Sequence, residues 1–173
     1  MGGYRYGIIL VDVTTRYCWF YGPKSTMPNK IINTLSQFRA DIGHLPCRFH
    51  SNFDRKLMGG KCLRWINNDK SKITAAPAKR QSANGLVERT WRTLVQMYRA
   101  YLTKKQTPQE YWYWSILHGY RMLKHVPGHL NSKLTYPFEL VHVTKPDPRT
   151  WFELFSLGFF HHQADGTVTQ SKT

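Results

Sequence analysis

Between Lys79 and Lys105 the sequence sets seven basic residues, Lys79, Arg80, Arg89, Arg92, Arg99, Lys104 and Lys105, against a single carboxylate, Glu88. A local net charge of +6 suits a phosphate-binding face, or a merely solvated one. Arg92 and Arg99 stand seven residues apart, so on a helix they share one side, and with Glu88 they flank the apolar stripe. Glu88 is also spaced to pair with Arg92 one turn later, an ordinary surface pair worth roughly a few tenths of a kcal/mol. His161 and His162 are adjacent, with no third ligand at a useful metal-binding spacing. Cys18, Cys47 and Cys62 lie far apart without a CxxC pair, so they read as reduced, mostly buried thiols. Asp12, near the end of the first apolar run, reads as the cap of a turn at Thr14-Thr15 and a partner of Arg16.

These groups need a folded frame, and the composition supplies one. The chain has 173 residues, 41% of them apolar and 14% aromatic, which suits one packed domain and not a disordered basic tail. Its net charge of +15 favours polyanionic partners, nucleic acid first. No apolar run is long enough to span a bilayer or to act as a signal peptide. Met1-Gly2 is followed by Tyr6 where a myristoylation signal wants Ser or Thr.

The order of elements follows from periodicity and turn chemistry. Arg5 to Val13 reads as a strand buried on both faces, and Arg16 to Tyr21 as its hairpin partner. Ile31, Ile32, Leu35 and Phe38 recur at helical spacing within Pro28 to Ile42, with Thr26 as candidate cap and Gly43 beyond the end. A strand at Cys47 to Ser51, a helix at Leu57 to Ile66 weakened by Gly59-Gly60, and a strand at Lys72 to Ala75 follow. Leu86, Val87, Trp91, Leu94, Val95, Tyr98 and Leu102 give one apolar face to a long scaffold helix. The next helix opens with the capping box Thr107-Pro108-Gln109-Glu110 and stops at Pro127-Gly128. A short helical turn at Phe138 to Val141, a Pro146-Asp147-Pro148 linker, an apolar strand within Trp151 to Phe160 and a frayed tail over Gln163 to Thr173 complete the reading.

The stretch Arg80-Gln81-Ser82-Ala83-Asn84-Gly85-Leu86-Val87-Glu88-Arg89-Thr90-Trp91-Arg92 resembles an integrase signature, in which Gln, Asn-Gly and Glu-Arg lead into a long helix. Upstream, Arg48-Phe49-His50-Ser51-Asn52-Phe53-Asp54 stands where that family places a carboxylate at the end of a buried strand. Between Asn52 and Glu88 lie 35 residues, the interval of the D,D-35-E motif, whereas Asp54 leaves 33. Asp12-Val13-Thr14-Thr15-Arg16-Tyr17, Trp112, Thr135-Tyr136-Pro137-Phe138-Glu139-Leu140 and Lys145-Pro146-Asp147 extend the match over residues 2 to 160. The chain is thus similar to the catalytic core of copia-type retrotransposon integrases.

That resemblance implies an α/β fold: an RNase H-like mixed sheet flanked by helices, in strand order 3-2-1-4-5. The family's first catalytic aspartate stands on a strand ahead of the one that matches Arg5 to Val13, so the chain is expected to lack its first, central strand. Residues 1–145 would then form an amino-terminally truncated core, and 146–173 a linker and the start of a carboxy-terminal segment. The resemblance makes Glu88 the third metal-binding carboxylate and Asn52 a substitution at the second. It implies magnesium or manganese as cofactor, DNA as partner and substrate, nuclear action, possible homo-oligomers, and neither a membrane nor a small-molecule substrate. Two ions need the charge of all three carboxylates, so polynucleotidyl transfer by this sequence is not expected. A nucleic-acid-binding or dimerising relic is the alternative, the latter through the aromatic helix from Tyr111 to Tyr120.

Overall fold

Ile8–Val11 (β1) and Cys18–Tyr21 (β2) pair antiparallel, from Ile8 opposite Tyr21 to Val11 opposite Cys18. The turn between them is closed by main-chain bonds from Asp12 N–H to Tyr17 C=O (2.8 Å) and from Arg16 N–H to Asp12 C=O (3.0 Å). The hairpin stands as the sequence indicates, but its strands are shorter, because Arg16 takes a left-handed conformation (φ 63°) and Val13 is 69% exposed. The structure is a computed structural model, described here for residues 3–51, 57, 59–75, 84–106, 108–130, 132–150, 160–162 and 168–170.

Pro28–Ile42 (α1) has the expected bounds and ends on Gly43 at φ 82°, where a residue with a Cβ is disfavoured. Its N-cap is Met27 and not Thr26, and no side chain bonds the helix start. Arg48–Ser51 (β3) and Lys72–Ala75 (β4) pair in parallel, joined through Gly60–Asn68 (α2). The sequence reading placed Gly59-Gly60 inside this helix. Instead Gly59 caps it and Gly60 begins it at φ 57°, so the glycines set its start.

Gly85–Lys105 (α3) is the long scaffold helix, and Trp112–His125 (α4) packs against it. The first residue of the expected capping box, Thr107, leaves that cap untested by the structure. Pro108 lies in extended backbone before a 3₁₀ turn at Gln109–Tyr111, and Thr107 lies outside the described residues. After α4 come a small hairpin of Gly128–Leu130 (β5) with Lys133–Thr135 (β6), and Pro137–His142 (α5). The expected linker forms a 3₁₀ turn at Pro148–Thr150, where the Arg149 guanidinium bonds both oxygens of Asp147. Residues 151–159, read as a strand, lie outside the described residues. Phe160–His162 (β7) pairs antiparallel with Val168–Gln170 (β8), so part of the tail expected to fray is a strand.

The core has two sides. Ile31, Leu35, Cys62 and Ile66 of α1 and α2 are buried with Ile8, Phe49 and Ile73, whereas Phe20, Leu94 and Ile116 are buried with Ile9 on the α3–α4 side. Successive residues of β1 therefore point to opposite covered faces, the pattern of a doubly buried strand. β1–β2 and β3–β4 are separate two-stranded sheets, with no strand between them among the described residues. Cys18 and Cys62 are buried thiols as expected, but Cys47 is exposed.

Two histidines of α4 should make stability depend on pH. Burial, then Arg121, pushes the His118 pKa down; burial, then Lys124, does the same to His125, against the raising effect of the hydrogen bond it donates to the Arg121 main-chain carbonyl. With folded values below the unfolded one, the unfolded chain binds more protons in that window, so stability rises with pH there. The melting temperature should therefore fall as pH drops below about 6.5, the ordinary imidazole value. Replacing both histidines with Gln should flatten that slope, and an unchanged slope would show that neither histidine contributes to it.

Candidate functional site

The carboxyl end of β3, at Ser51, and the start of α3 border a common cavity. Ser51, Asn84 and Val87 line it. Asn84, the residue before α3, is buried, whereas Glu88 in the first helical turn is exposed to solvent. A carboxylate in the first turn is favoured by the partial positive charge of the helix N-terminus. No ion pair joins Glu88 to Arg92 among the described residues.

Asp12 is in a different role. Thr15 donates to its Oδ2 through both its main-chain N–H (2.8 Å) and its hydroxyl (2.6 Å). Burial raises the Asp12 pKa, but these hydrogen bonds, with those from the Thr14 and Val13 backbone, outweigh burial and hold it below the usual carboxylate value. Its oxygens are thus spent on the hairpin turn, as the sequence reading proposes. No ion pair joins Asp12 to Arg16 among the described residues; the two are linked instead by the Arg16 main-chain N–H, which donates to the Asp12 C=O.

Asn52, Asp54, Lys79 and Arg80 lie outside the described residues. Of the remaining basic candidates, Arg89, Arg92, Arg99 and Lys104 are all exposed on α3, and Lys105 ends the helix. At 3.6 residues per turn, Glu88, Arg92 and Arg99 fall within roughly 40° of one another, on the side away from buried Leu94. Arg89 lies off that line, with its guanidinium close to Gly85. Trp91, read as part of the apolar face, sits at its rim: it stacks on Phe20 with centroids 6.5 Å apart yet is 37% exposed.

The sheet adds two cations that spacing along the chain did not reveal. Phe49 and Ile73 face α1 and α2, so Arg48 and His50 of β3, with Lys72 and Thr74 of β4, point to the opposite, exposed face. Arg48 and Lys72 are direct neighbours in the parallel register. His50 Nδ1 lies 3.0 Å from Thr74 Oγ1. The alternation in Arg48-Phe49-His50-Ser51 was the available signal, but its sidedness needed the partner strand.

Among the described residues, the donor set does not fit a divalent metal. The described residues contain no cluster of three metal-ligating side chains, and Asn52, expected at the second-carboxylate position, has an amide that carries no charge. Hard cations such as magnesium bind chiefly through carboxylates and waters.

No family model and no curated protein matches this chain. Solved structures do. The catalytic core domain of HTLV-2 integrase, in complex with magnesium, superposes with a TM-score of 0.60 at 16% identity, over 78% of this chain and 82% of that one. The catalytic core domain of BIV integrase gives 0.62 at 12% identity, over 79% and 85%. A simian T-cell lymphotropic virus intasome, in complex with the PP2A regulatory subunit B56 gamma, gives 0.67 at 15% identity, over 95% of this chain and 59% of that one. At these identities the likeness establishes the fold: mixed α/β, with the architecture of retroviral integrase catalytic cores.

Proposed function

We propose that this chain is the integrase core of a copia-type retroelement, acting in the nucleus, that grips DNA through its phosphates and does not itself perform strand transfer. The observation that carries the reading is the exposed basic side of α3, beside the carboxyl end of β3, in an integrase-core fold. Arg92 and Arg99 hold successive phosphates, Arg89 and Lys104 extend the track, and Lys79, Arg80 and Lys105 flank it. Arg48 and Lys72 widen the positive surface across the sheet. Phosphate contacts of this kind position a duplex without reading its sequence. Glu88 occupies the third-carboxylate position, and Asn52 the second, so magnesium or manganese is held weakly if at all. Residues 1–145 form the core unit, and 146–173 lead out of it. A dimerising role is the second reading, favoured by Trp114 of α4, which is 42% exposed.

The test is a salt titration of duplex binding by fluorescence anisotropy. Affinity should fall linearly on a log–log plot and differ little between unrelated duplexes. Changing Arg89, Arg92 and Arg99 together to Ala should flatten the slope by roughly 2 to 3, at about 0.9 per phosphate lost. Arg48→Ala should remove about one further contact. An unchanged slope in the triple variant removes α3 from the DNA side.

A further inference from the structure

Beside β2 lies a cavity of about 310 Å³, bordered by α1 on one side and α4 on the other, which shares no lining residue with the cavity at the start of α3. Its walls are aromatic. Tyr4 and Tyr113 stack with centroids 3.7 Å apart, and Phe20 lies 5.6 Å from Tyr113 and 6.4 Å from Tyr120. Gly22 makes room for the stack, because a Cβ there would run into the Tyr113 ring and come 2.8 Å from Tyr4. Asp41 is the one charged residue on the lining. Tyr21 donates to its Oδ2 at 2.5 Å, which fixes the direction of the carboxylate. Burial, then that bond to Asp41, holds the Tyr21 pKa above its usual value, so the hydroxyl remains a donor. Asp41 and Gln37 are exposed, and the cavity opens to solvent beside them.

The chain carries 25 lysines and arginines against 10 acidic residues, yet no ion pair joins Asp41 to any of them among the described residues, and none lines the cavity. An anion would meet the carboxylate, and an uncharged apolar guest would leave it unused. A cation gains from the carboxylate and from the aromatic rings together. These rings already attract one: Lys124 Nζ, outside the lining, stands 4.6 Å from the Tyr120 centroid and 5.0 Å from that of Tyr17. Among organic cations, a guanidinium is planar, stacks on aromatic rings and forks onto a carboxylate, whereas an ammonium is compact and strongly hydrated. With one bond from Tyr21 in place, the Asp41 carboxylate keeps acceptor sites on both oxygens for such a fork. We propose that this cavity binds a guanidinium group, carried by an arginine side chain or by a free small molecule. Asp41 is its counter-ion, Tyr21 positions that carboxylate, and Tyr113 and Tyr120 supply the aromatic surface.

The probes are methylguanidinium and N-acetyl-arginine-N-methylamide, titrated into the intact 173-residue chain and followed by the NMR shifts of its tyrosine rings. Saturable shifts at Tyr113 and Tyr120 are expected. The citrulline derivative, an uncharged isostere, should bind about tenfold more weakly, as should the arginine derivative to Asp41→Asn at an unchanged melting temperature. Tyr21→Phe keeps the ring and loses the bond to Asp41. It should weaken the arginine derivative by roughly threefold and leave the citrulline derivative unchanged, a split that a merely structural role would not produce. Saturation by both probes means that a free guanidinium suffices, and saturation by the arginine derivative alone assigns the group to a polypeptide side chain. Equal binding of citrulline, undiminished binding to Asp41→Asn, or no saturable shift at Tyr113 and Tyr120 with either probe overturns the proposal.

Discussion

Incubated with labelled element-end oligonucleotides in magnesium or manganese, the 173-residue chain should yield neither trimmed ends nor joined product. Two-ion phosphoryl transfer depends on concentrated negative charge to hold both cations, one at the attacking oxygen and one at the leaving oxygen. On the proposed assignment Glu88 supplies one charge and Asn52 none, while Asp12 is committed to Thr15 in the hairpin turn. Asn52→Asp alone should therefore remain inactive. Joined product should need Asn52→Asp together with an amino-terminal extension that carries a strand with an aspartate. In that extended chain, Glu88→Gln should return transfer to background, whereas Asp12→Asn and Asp54→Asn should cost far less. Joining by the unmodified chain, or loss through Asp12→Asn but not Glu88→Gln, would show that the carboxylate positions are misassigned.

The largest expected stability effect is at the junction of α3 and α4. Leu94 has no exposed surface, and its Cδ2 lies 3.3 Å from where a Cβ on Gly119 would sit, so the glycine lets the two helices close over it. Phe20 of β2 and Ile116 complete the cluster. Leu94→Ala removes buried methyl groups from a site walled by two helices and a strand, which limits collapse around the cavity. The cost should be about 2–5 kcal/mol. That corresponds to a fall of roughly 5–15 °C in melting temperature for a chain of this size. Urea unfolding with an unchanged m-value would assign the shift to the folded core. A loss below about 1 kcal/mol would mean that α4 does not close on α3 as described.

The sequence by itself determined those features whose physics is local. The hairpin followed from an apolar run, an Asp-Val-Thr-Thr turn and a second aromatic run. The bounds of α1 followed from helical spacing with Pro28 ahead and Gly43 behind. The α3 stripe followed from seven apolar residues at helical spacing, and the outward arginines from the same periodicity. The Asp12 cap was also legible, because an Asx turn closes within three residues.

What the tertiary structure decided depends on neighbours distant in sequence. Between Pro108 and α4 the chain makes a 3₁₀ turn at Gln109–Tyr111, which the helical spacing of the sequence does not separate from the helix. The Gly59-Gly60 pair could weaken a helix or begin one, and its left-handed backbone at Gly60 settled the choice. Arg48 and Lys72 became neighbours only through the parallel register of β3 and β4, a pairing across 24 residues of sequence. Trp91 fits the apolar stripe by spacing, yet its exposure depends on how far the ring of Phe20 covers it.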